Sequence, residues 1–548
     1  MKLLIVGGVA GGSSAAARAR RLSEQAEIIL FERGPDISFA NCGLPYYIGE
    51  KVADRDKLLI TTVEHFRERF NVDVRIQSSV ESINRTSKTV RVRDTESGKI
   101  YDESYDKLIL ATGAAPLKPP IAGIDLPGIF TLRDLHDVDC IKAAVDAGAK
   151  QAVIVGAGFI GLELAENLMR RGLETTVVEL QDQLLPPFDK EMTTPILDSL
   201  KANRVNVLLG ESAEAFEQSD NGLVVRLKSG QCLSAQLVIL GVGVRPENKL
   251  AVEASLEVGP RGGIQVNDLL QTSDPDIYAA GDAIQILDFV LGSPTQIPLG
   301  GPANRQGRIA ADNIFGRNSK YRGTQGTAIL GIFKMTAAMT GASEKSLART
   351  KTPYQKIYVH PGNHASYYPG VDLMTLKLLY SPDSGRVLGA QAVGGEGVDK
   401  RIDVLSVAIQ AGMTVYDLEE MELAYAPQYG SAKDPVNMAG FVAAGKLRGD
   451  QPQLEVETLL ATPESQRPLL IDVRTPEEFA HGGIPNSINI PIDQLRRRLL
   501  EIPPGSQVGC YCLVGQRGYL ATRILIQNGF AAANINGGLK TYQLFQGK

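Results

Sequence analysis

Two stretches of this chain are short apolar runs that break into glycines and then into helix-forming sequence. Leu3 to Val6 leads into Gly7-Gly8-Val9-Ala10-Gly11-Gly12 and the run Ser13 to Leu22, and Gln151 to Val155 leads into Gly156-Ala157-Gly158-Phe159-Ile160-Gly161 and Leu162 to Arg170. A strand that turns through glycine straight into a helix lets the backbone approach a pyrophosphate, which sits on the helix N-terminus. Each unit continues into a second strand ending in an acid, Glu32 after Glu27 to Phe31 and Glu179 after Thr175 to Val178. A carboxylate there can accept bonds from a ribose hydroxyl. The second glycine motif is complete; the first has Val9 where a middle glycine would stand, and the offset of Glu32 makes the assignment. The pattern predicts an α/β chain with two Rossmann-like dinucleotide-binding domains, hence two dinucleotides with hydride passing between them. Leu180-Gln181-Asp182 after Glu179 offers no Arg or Lys to a 2'-phosphate, so the nicotinamide cofactor is expected to be NADH.

The segment Ser38-Phe39-Ala40-Asn41-Cys42-Gly43-Leu44-Pro45-Tyr46 follows the first unit, where the chain returns to its nucleotide. Cys42 stands just ahead of an expected helix start, a place that favours thiolate. The fifth residue after it is Tyr47, so no local disulfide can form. A lone redox cysteine pairs with sulfur from outside, as a mixed disulfide or persulfide, or cycles through a sulfenic acid. The bland alternative, a small buried hydrophobe, is the commoner fate of a free cysteine; the flanking nucleotide motifs weigh against it.

A second thiol lies near the C-terminus, in Cys512-Leu513-Val514-Gly515-Gln516-Arg517-Gly518. A strand ending at Cys512 would feed a tight loop and then a helix, so loop N–H groups and the helix dipole converge on sulfur and favour thiolate or persulfide. Cys510 alternates with Tyr511 along that strand and is expected to be core packing, with a resolving-thiol role as the alternative. The five cysteines (Cys42, Cys140, Cys232, Cys510, Cys512) are too few for a disulfide framework in 548 residues, and their odd number suits a reducing compartment, the cytoplasm. The formal charge of -5 gives no nucleic-acid signal, and no apolar run is long enough to span a membrane. No metal site is expected.

Between the nucleotide units and after them lie Ala111-Thr112-Gly113 and Gly281-Asp282, each closing an expected strand. In order with the glycine motifs they resemble the signatures of the two-dinucleotide flavoprotein reductases; on that resemblance the first dinucleotide is FAD, Asp282 holds its ribityl chain, and Arg33 and Asn41 also line it. Glutathione-reductase-like members carry a Cys-x4-Cys pair where this chain has Cys42 alone, so residues 1 to about 445 resemble the single-cysteine branch, and Ser38 to Tyr46 is similar to the motif of coenzyme A disulfide reductases. Asp472-Val473-Arg474, Glu477-Glu478-Phe479, Gly483-Ile484-Pro485, Ile488-Asn489-Ile490-Pro491 and the Cys512 loop resemble a rhodanese domain. The whole chain therefore looks like the coenzyme A disulfide reductase/rhodanese fusions, a group that includes NADH-dependent persulfide and polysulfide reductases.

The resemblance implies an FAD-binding domain of residues 1–112 and 245–322, an NADH-binding domain of 113–244, a dimerisation domain of 323–445 and a homodimer. A linker at 446–455 follows, overlapping the Gly440–Gln453 stretch whose composition suggests one, and then a rhodanese domain at 456–548. It further implies that coenzyme A lies against Arg18, Arg21, Ser38, Asn41, Asn304 and Lys433, the arginines taking its phosphates. Tyr367 and Tyr425 of the partner subunit would approach the reactive sulfur, and Arg517 would belong to the second thiol's site. The family's usual A-P-P-Y after the second tyrosine reads Ala426-Pro427-Gln428-Tyr429 here. The expected reaction is NADH-dependent cleavage of coenzyme A persulfide or polysulfide, with coenzyme A disulfide reduction as the alternative. NADH oxidase or peroxidase relatives carry a histidine in the first glycine loop, where this chain has Ala10. A short linker would keep Cys512 from roaming to Cys42, so a carrier such as the pantetheine arm is expected to shuttle sulfur between them.

Overall fold

The computed structural model describes residues 1–547, in two compact units: Met1–Asp182 with Val205–Gly326, and Gln183–Arg204 with Thr327 onward. The first unit contains the same device twice. One five-stranded parallel sheet runs in the order Ile277–Ala279, Lys107–Leu110, Lys2–Val6, Glu27–Phe31, Asp73–Arg75; the other runs Ile129–Phe130, Leu237–Leu240, Gln151–Val155, Glu174–Glu179, Asn206–Leu209. The central strands are continuous apolar runs because both faces are covered: Leu3, Leu4 and Ile5 are fully buried, as is Ile154.

Helix α1 (Ala10–Leu22) leaves the first sheet through Gly7, helix α2 (Leu44–Ile48) follows the Cys42 segment, and helix α3 (Phe159–Arg170) leaves the second sheet through Gly156. These turns need glycine. Gly7 has φ +100°, and a Cβ there would lie 2.2 Å from the Ala111 carbonyl oxygen; at Gly12 it would lie 1.8 Å from the Gly7 carbonyl. Gly156 and Gly161 repeat the pair of close approaches. A Cβ on Gly158, by contrast, meets nothing within 4 Å, which is why Val9 can stand at the equivalent place without breaking the turn. Helix α4 (Gly300–Ile314) packs on α1, with Gly307 against the Gly11 carbonyl.

In the second unit an antiparallel sheet, Ala328–Ile332, Met335–Gly341, Val387–Gly394, Met374–Tyr380, Gln355–Val359, is backed by the helix Val398–Ala411. A C-terminal parallel sheet runs Gln453–Leu454, Ala531–Ile535, Gln507–Tyr511, Leu469–Asp472, Ile488–Asn489. Composition suggested a linker over Gly440–Gln453; its first half is instead helix α5 (Pro435–Leu447), started by the Asp434 capping box with proline in its first turn. The glycine there is a contact: a Cβ on Gly440 would lie 2.5 Å from the Glu419 nitrogen. Helices α6 (Gln516–Gln527) and α7 (Gly538–Gln546) complete the C-terminal domain.

Residues 183–204 pack with this second unit rather than with the nucleotide-binding domain they interrupt. The reason is a buried charge cluster. The Lys377 ammonium, fully buried, meets the carboxylates of Asp189 at 2.7 Å, Glu191 and Glu344. These three carboxylates are close enough to hold a cation, and Lys377 is the cation they hold.

The C-terminal domain is held to the dimerisation sheet by a polar seam. The fully buried Asn536 accepts from the Tyr358 N–H at 2.9 Å and donates to the Lys356 carbonyl and to Glu455. His360 is hydrogen-bonded on both ring nitrogens, to Thr375 within its own sheet and to Thr541 of α7. Lys356 pairs with Glu344 and Glu457, and Lys446 with Glu455. Phe545 packs edge-on against Tyr358, whose hydroxyl donates to Glu191. A domain so pinned is seated, and free tethering does not describe it.

Candidate functional sites

The two glycine turns are built as anion cradles. Glu32 accepts from the N–H of Gly8 at 2.8 Å and of Gly34 at 2.9 Å, and Glu179 accepts from Ala157 at 2.7 Å and Gln181 at 2.9 Å. Each acid thus braces its own turn from the end of the second strand, with lone pairs to spare for a ribose. The N–H groups of Val9, Ala10, Gly11 and Gly12 find no acceptor among the described residues, nor do those of Gly158, Ile160 and Gly161. Open donors at a helix N-terminus are what a pyrophosphate takes. Around the first turn, Gly113 has φ +72° with open space beyond its α-carbon, and Gly281 has φ +82°. Asp282 has no hydrogen-bond partner among the described residues, and burial raises its carboxyl. A half-buried carboxylate lacking a donor fits a polyhydroxyl chain such as that of FAD. Arg33 sits off to the side, paired with Glu247 at 2.9 Å, which Arg133 also holds.

Cys42 is free and exposed, in a single tight turn, Asn41–Gly43, ahead of the short α2. The expectation of a helix-favoured thiolate is corrected here: desolvation raises the thiol, and the carboxylates of Glu163 and Asp282 raise it further, outweighing the backbone hydrogen bond that lowers it. A helix of five residues supplies too little dipole to reverse this. Sequence reasoning missed Glu163, although it lies just past Gly161 on α3; it accepts from the Tyr46 hydroxyl at 3.2 Å and so links α3 to the thiol's own helix.

Of the residues expected to hold coenzyme A, Ser38 is buried in a two-residue strand paired with Leu59–Thr61, and the Asn41 amide donates to the Arg133 carbonyl at 3.4 Å. Asn304 accepts from Ser14 at 2.9 Å across the α1–α4 contact. Arg18 is half committed, its Nε donating to Asp312 at 2.7 Å, while Arg21 one turn on is exposed. Arg305 and Arg308, exposed on the helix of Asn304, went unremarked in the sequence because nothing in it tells which face of α4 is open. Lys433, in the second unit, is exposed just before α5. Also in that unit the Tyr367 and Tyr425 hydroxyls lie 2.9 Å apart, on side chains that remain largely exposed.

The second thiol closes its strand as expected. Cys512 is 1 % exposed, and its carbonyl and that of Leu513 accept from the N–H groups of Leu539 and Lys540 in the first turn of α7. The N–H groups of Leu513, Val514, Gly515 and Gln516 find no acceptor among the described residues, leaving a ring of donors at the start of α6. Arg517 lies near enough to Cys512 to feel a charge on its sulfur and forms a two-pronged pair with Glu478, at 2.7 and 2.6 Å. Cys510 is fully buried in the core, and desolvation pushes its thiol up to about 12, which disfavours the thiolate a resolving role needs.

Three family models match: pyridine nucleotide-disulphide oxidoreductase over residues 1–307, the dimerisation domain of that family over 327–434, and a rhodanese-like domain over 455–544. A coenzyme A disulfide reductase of Staphylococcus aureus is 38% identical over 444 residues, covering 81% of this chain and 99% of that protein. The reduced CoADR-RHD protein of Bacillus anthracis is 47% identical with a TM-score of 0.97, covering 99% of this chain and 98% of that one. An NAD-dependent persulfide reductase from A. fulgidus is 37% identical with a TM-score of 0.92, covering 99% and 100%. With both nucleotide cradles, the lone thiol and the second thiol's loop in place, the chain belongs to the pyridine nucleotide-disulphide oxidoreductases, FAD- and nicotinamide-dependent enzymes, and carries a rhodanese-like domain at its C-terminus.

Proposed function

We propose that the protein uses NADH to reduce the sulfane sulfur of coenzyme A persulfide or polysulfide to sulfide and thiol through Cys42, and that its rhodanese domain handles the same sulfur through Cys512. The observation that carries the reading is that Cys42 is a free, exposed thiol with no second cysteine in its segment, so its sulfur partner must come from the substrate. FAD, when bound, accepts hydride from NADH and hands on two electrons, which matches cleavage of one S–S bond. Cys42 takes the substrate's outer sulfur as the thiol leaves. Desolvation, Glu163 and Asp282 oppose a permanent thiolate, so ionisation of Cys42 depends on the donors and positive charge that the bound substrate and cofactor bring to it. Arg21 and Asn304, with the free donors of Arg18, line the coenzyme A side, joined by Arg305 and Arg308. In a homodimer the Tyr367–Tyr425 pair serves the partner subunit's thiol, and its hydroxyls can protonate the leaving sulfur. The free thiols stay reduced in the cytoplasm, where we place the enzyme.

Rapid mixing of NADH-reduced enzyme with coenzyme A persulfide tests this directly: sulfide is expected in each turnover, and flavin reduction without sulfide release would sink the reading. Reduction of coenzyme A disulfide is favoured instead by the name of the staphylococcal relative, and a higher kcat/KM for that disulfide would select it. Because Glu179 offers a carboxylate where a 2'-phosphate would sit, NADPH is expected to give a kcat/KM roughly a hundredfold below NADH, read from initial rates.

A further inference from the structure

The mouth of the Cys512 loop contains a cation that its neighbour has neutralised. Both terminal nitrogens of Arg517 are donated to the two carboxylate oxygens of Glu478. Glu478 is itself fixed, because it is the third helical residue of a capping box in which the Thr475 N–H donates back to its carboxylate at 3.0 Å. The adjacent arginine, Arg474, is likewise consumed: it grips Asp472 with two nitrogens and the Gly482 carbonyl with one of them. Lys540 touches the loop through its backbone N–H, which donates to Leu513. The unbonded loop N–H groups remain open to charge on the transferred sulfur, whereas the arginine that would meet further anionic oxygens at the mouth of the loop is already paired.

We propose that Glu478 is a specificity-determining residue: by holding Arg517 in a neutral pair it makes the rhodanese domain select organic persulfides, R–S–S⁻, over the dianion thiosulfate. The inference rests on the reading of Cys512 as a sulfur-transferring thiol and adds to it the class of donor. With either donor the Cys512 thiolate attacks the outer sulfur and the S–S bond breaks. The leaving group, RS⁻ or sulfite, departs with the bonding pair, and Cys512 holds the persulfide. A thiosulfate donor brings its sulfonate oxygens to Arg517, where the Glu478 carboxylate repels them; an organic persulfide brings carbon there and meets no such penalty. The carboxylate itself stays ionised through the working range, since the hydrogen bonds from Arg517 hold it down to about 2.

The test is thiocyanate formation by the full-length holoenzyme with cyanide as acceptor, comparing thiosulfate with glutathione persulfide as donors. Cyanide removes the outer sulfur as thiocyanate and returns the thiolate, so both donors share one readout. Wild type is expected to favour the persulfide in kcat/KM by tenfold or more. Glu478→Gln, which keeps the size and the capping acceptor, is expected to raise the thiosulfate-to-persulfide ratio about tenfold, mainly by lowering KM for thiosulfate, and Glu478→Asp to restore most of the discrimination. Equal use of both donors by wild type overturns the specificity while leaving sulfur transfer at Cys512 standing, as does an unchanged ratio in Glu478→Gln. No thiocyanate from either donor overturns the sulfur-transfer reading and the proposal with it.

Discussion

Cys42→Ser is expected to leave the flavin reducible by NADH while cutting turnover of persulfide or disulfide by a factor on the order of 10³ or more, because a hydroxyl cannot form the covalent sulfur intermediate. Stopped-flow spectra separate the two half-reactions. Bleaching of the oxidised flavin by NADH should match wild type, since both glycine turns and their bracing acids lie outside the substitution. Reoxidation by added persulfide should nearly vanish. A serine variant that still released sulfide at a tenth of the wild-type rate would move the chemistry away from Cys42, and no other thiol of the first unit is placed to inherit it: Cys140 lies on a surface helix beside His136, and Cys232 on an exposed antiparallel strand.

Lys377→Met is expected to cost about 3–5 kcal/mol of stability, because it removes the cation from three buried or half-buried carboxylates and leaves them facing one another. Denaturant titration with tryptophan-free readouts such as far-UV circular dichroism would measure it. The cost should depend on pH in a defined direction. Burial works to raise the Glu344 carboxyl, but Lys377 and Lys356 overcome it and hold the group at about 2. A carboxyl depressed in the folded state contributes stability that is present above its unfolded value and is lost as pH falls through the folded one. The gap between wild type and Lys377→Met should therefore be widest at neutral pH and shrink as pH falls from about 4 toward 2. A gap that stays constant over that range would mean that the loss is one of packing alone.

Much of the nucleotide-binding architecture was legible because it is written in local sequence. Glycine at Gly12 and Gly161 answers a carbonyl five residues back, that of Gly7 or Gly156, and the acid that ends each second strand sits at a similar offset beyond its turn. The thiol loop at Cys512 was legible for the same reason. What was not legible depends on partners far along the chain. Nothing near Glu344 announces Lys377, and the segment containing Asp189 and Glu191 reads as part of a nucleotide-binding domain until the cation they share is seen. The acidity of Cys42 was misjudged because a cysteine before Gly-Leu-Pro looks like a helix start, whereas its environment is set by Glu163 and Asp282, which arrive from other segments. Gly440 to Leu447 looked like a linker because small residues are common to linkers and to helices packed at close range.

The seam under the C-terminal domain also bears on how the second unit comes apart. Asn536, Thr541, Leu544 and Phe545 close against Tyr358, His360 and Thr194. The hydroxyl of Thr194 donates to a carbonyl 350 residues downstream. Detaching the C-terminal domain alone would bare buried polar groups along one edge of the antiparallel sheet, so the two are expected to unfold as one cooperative step.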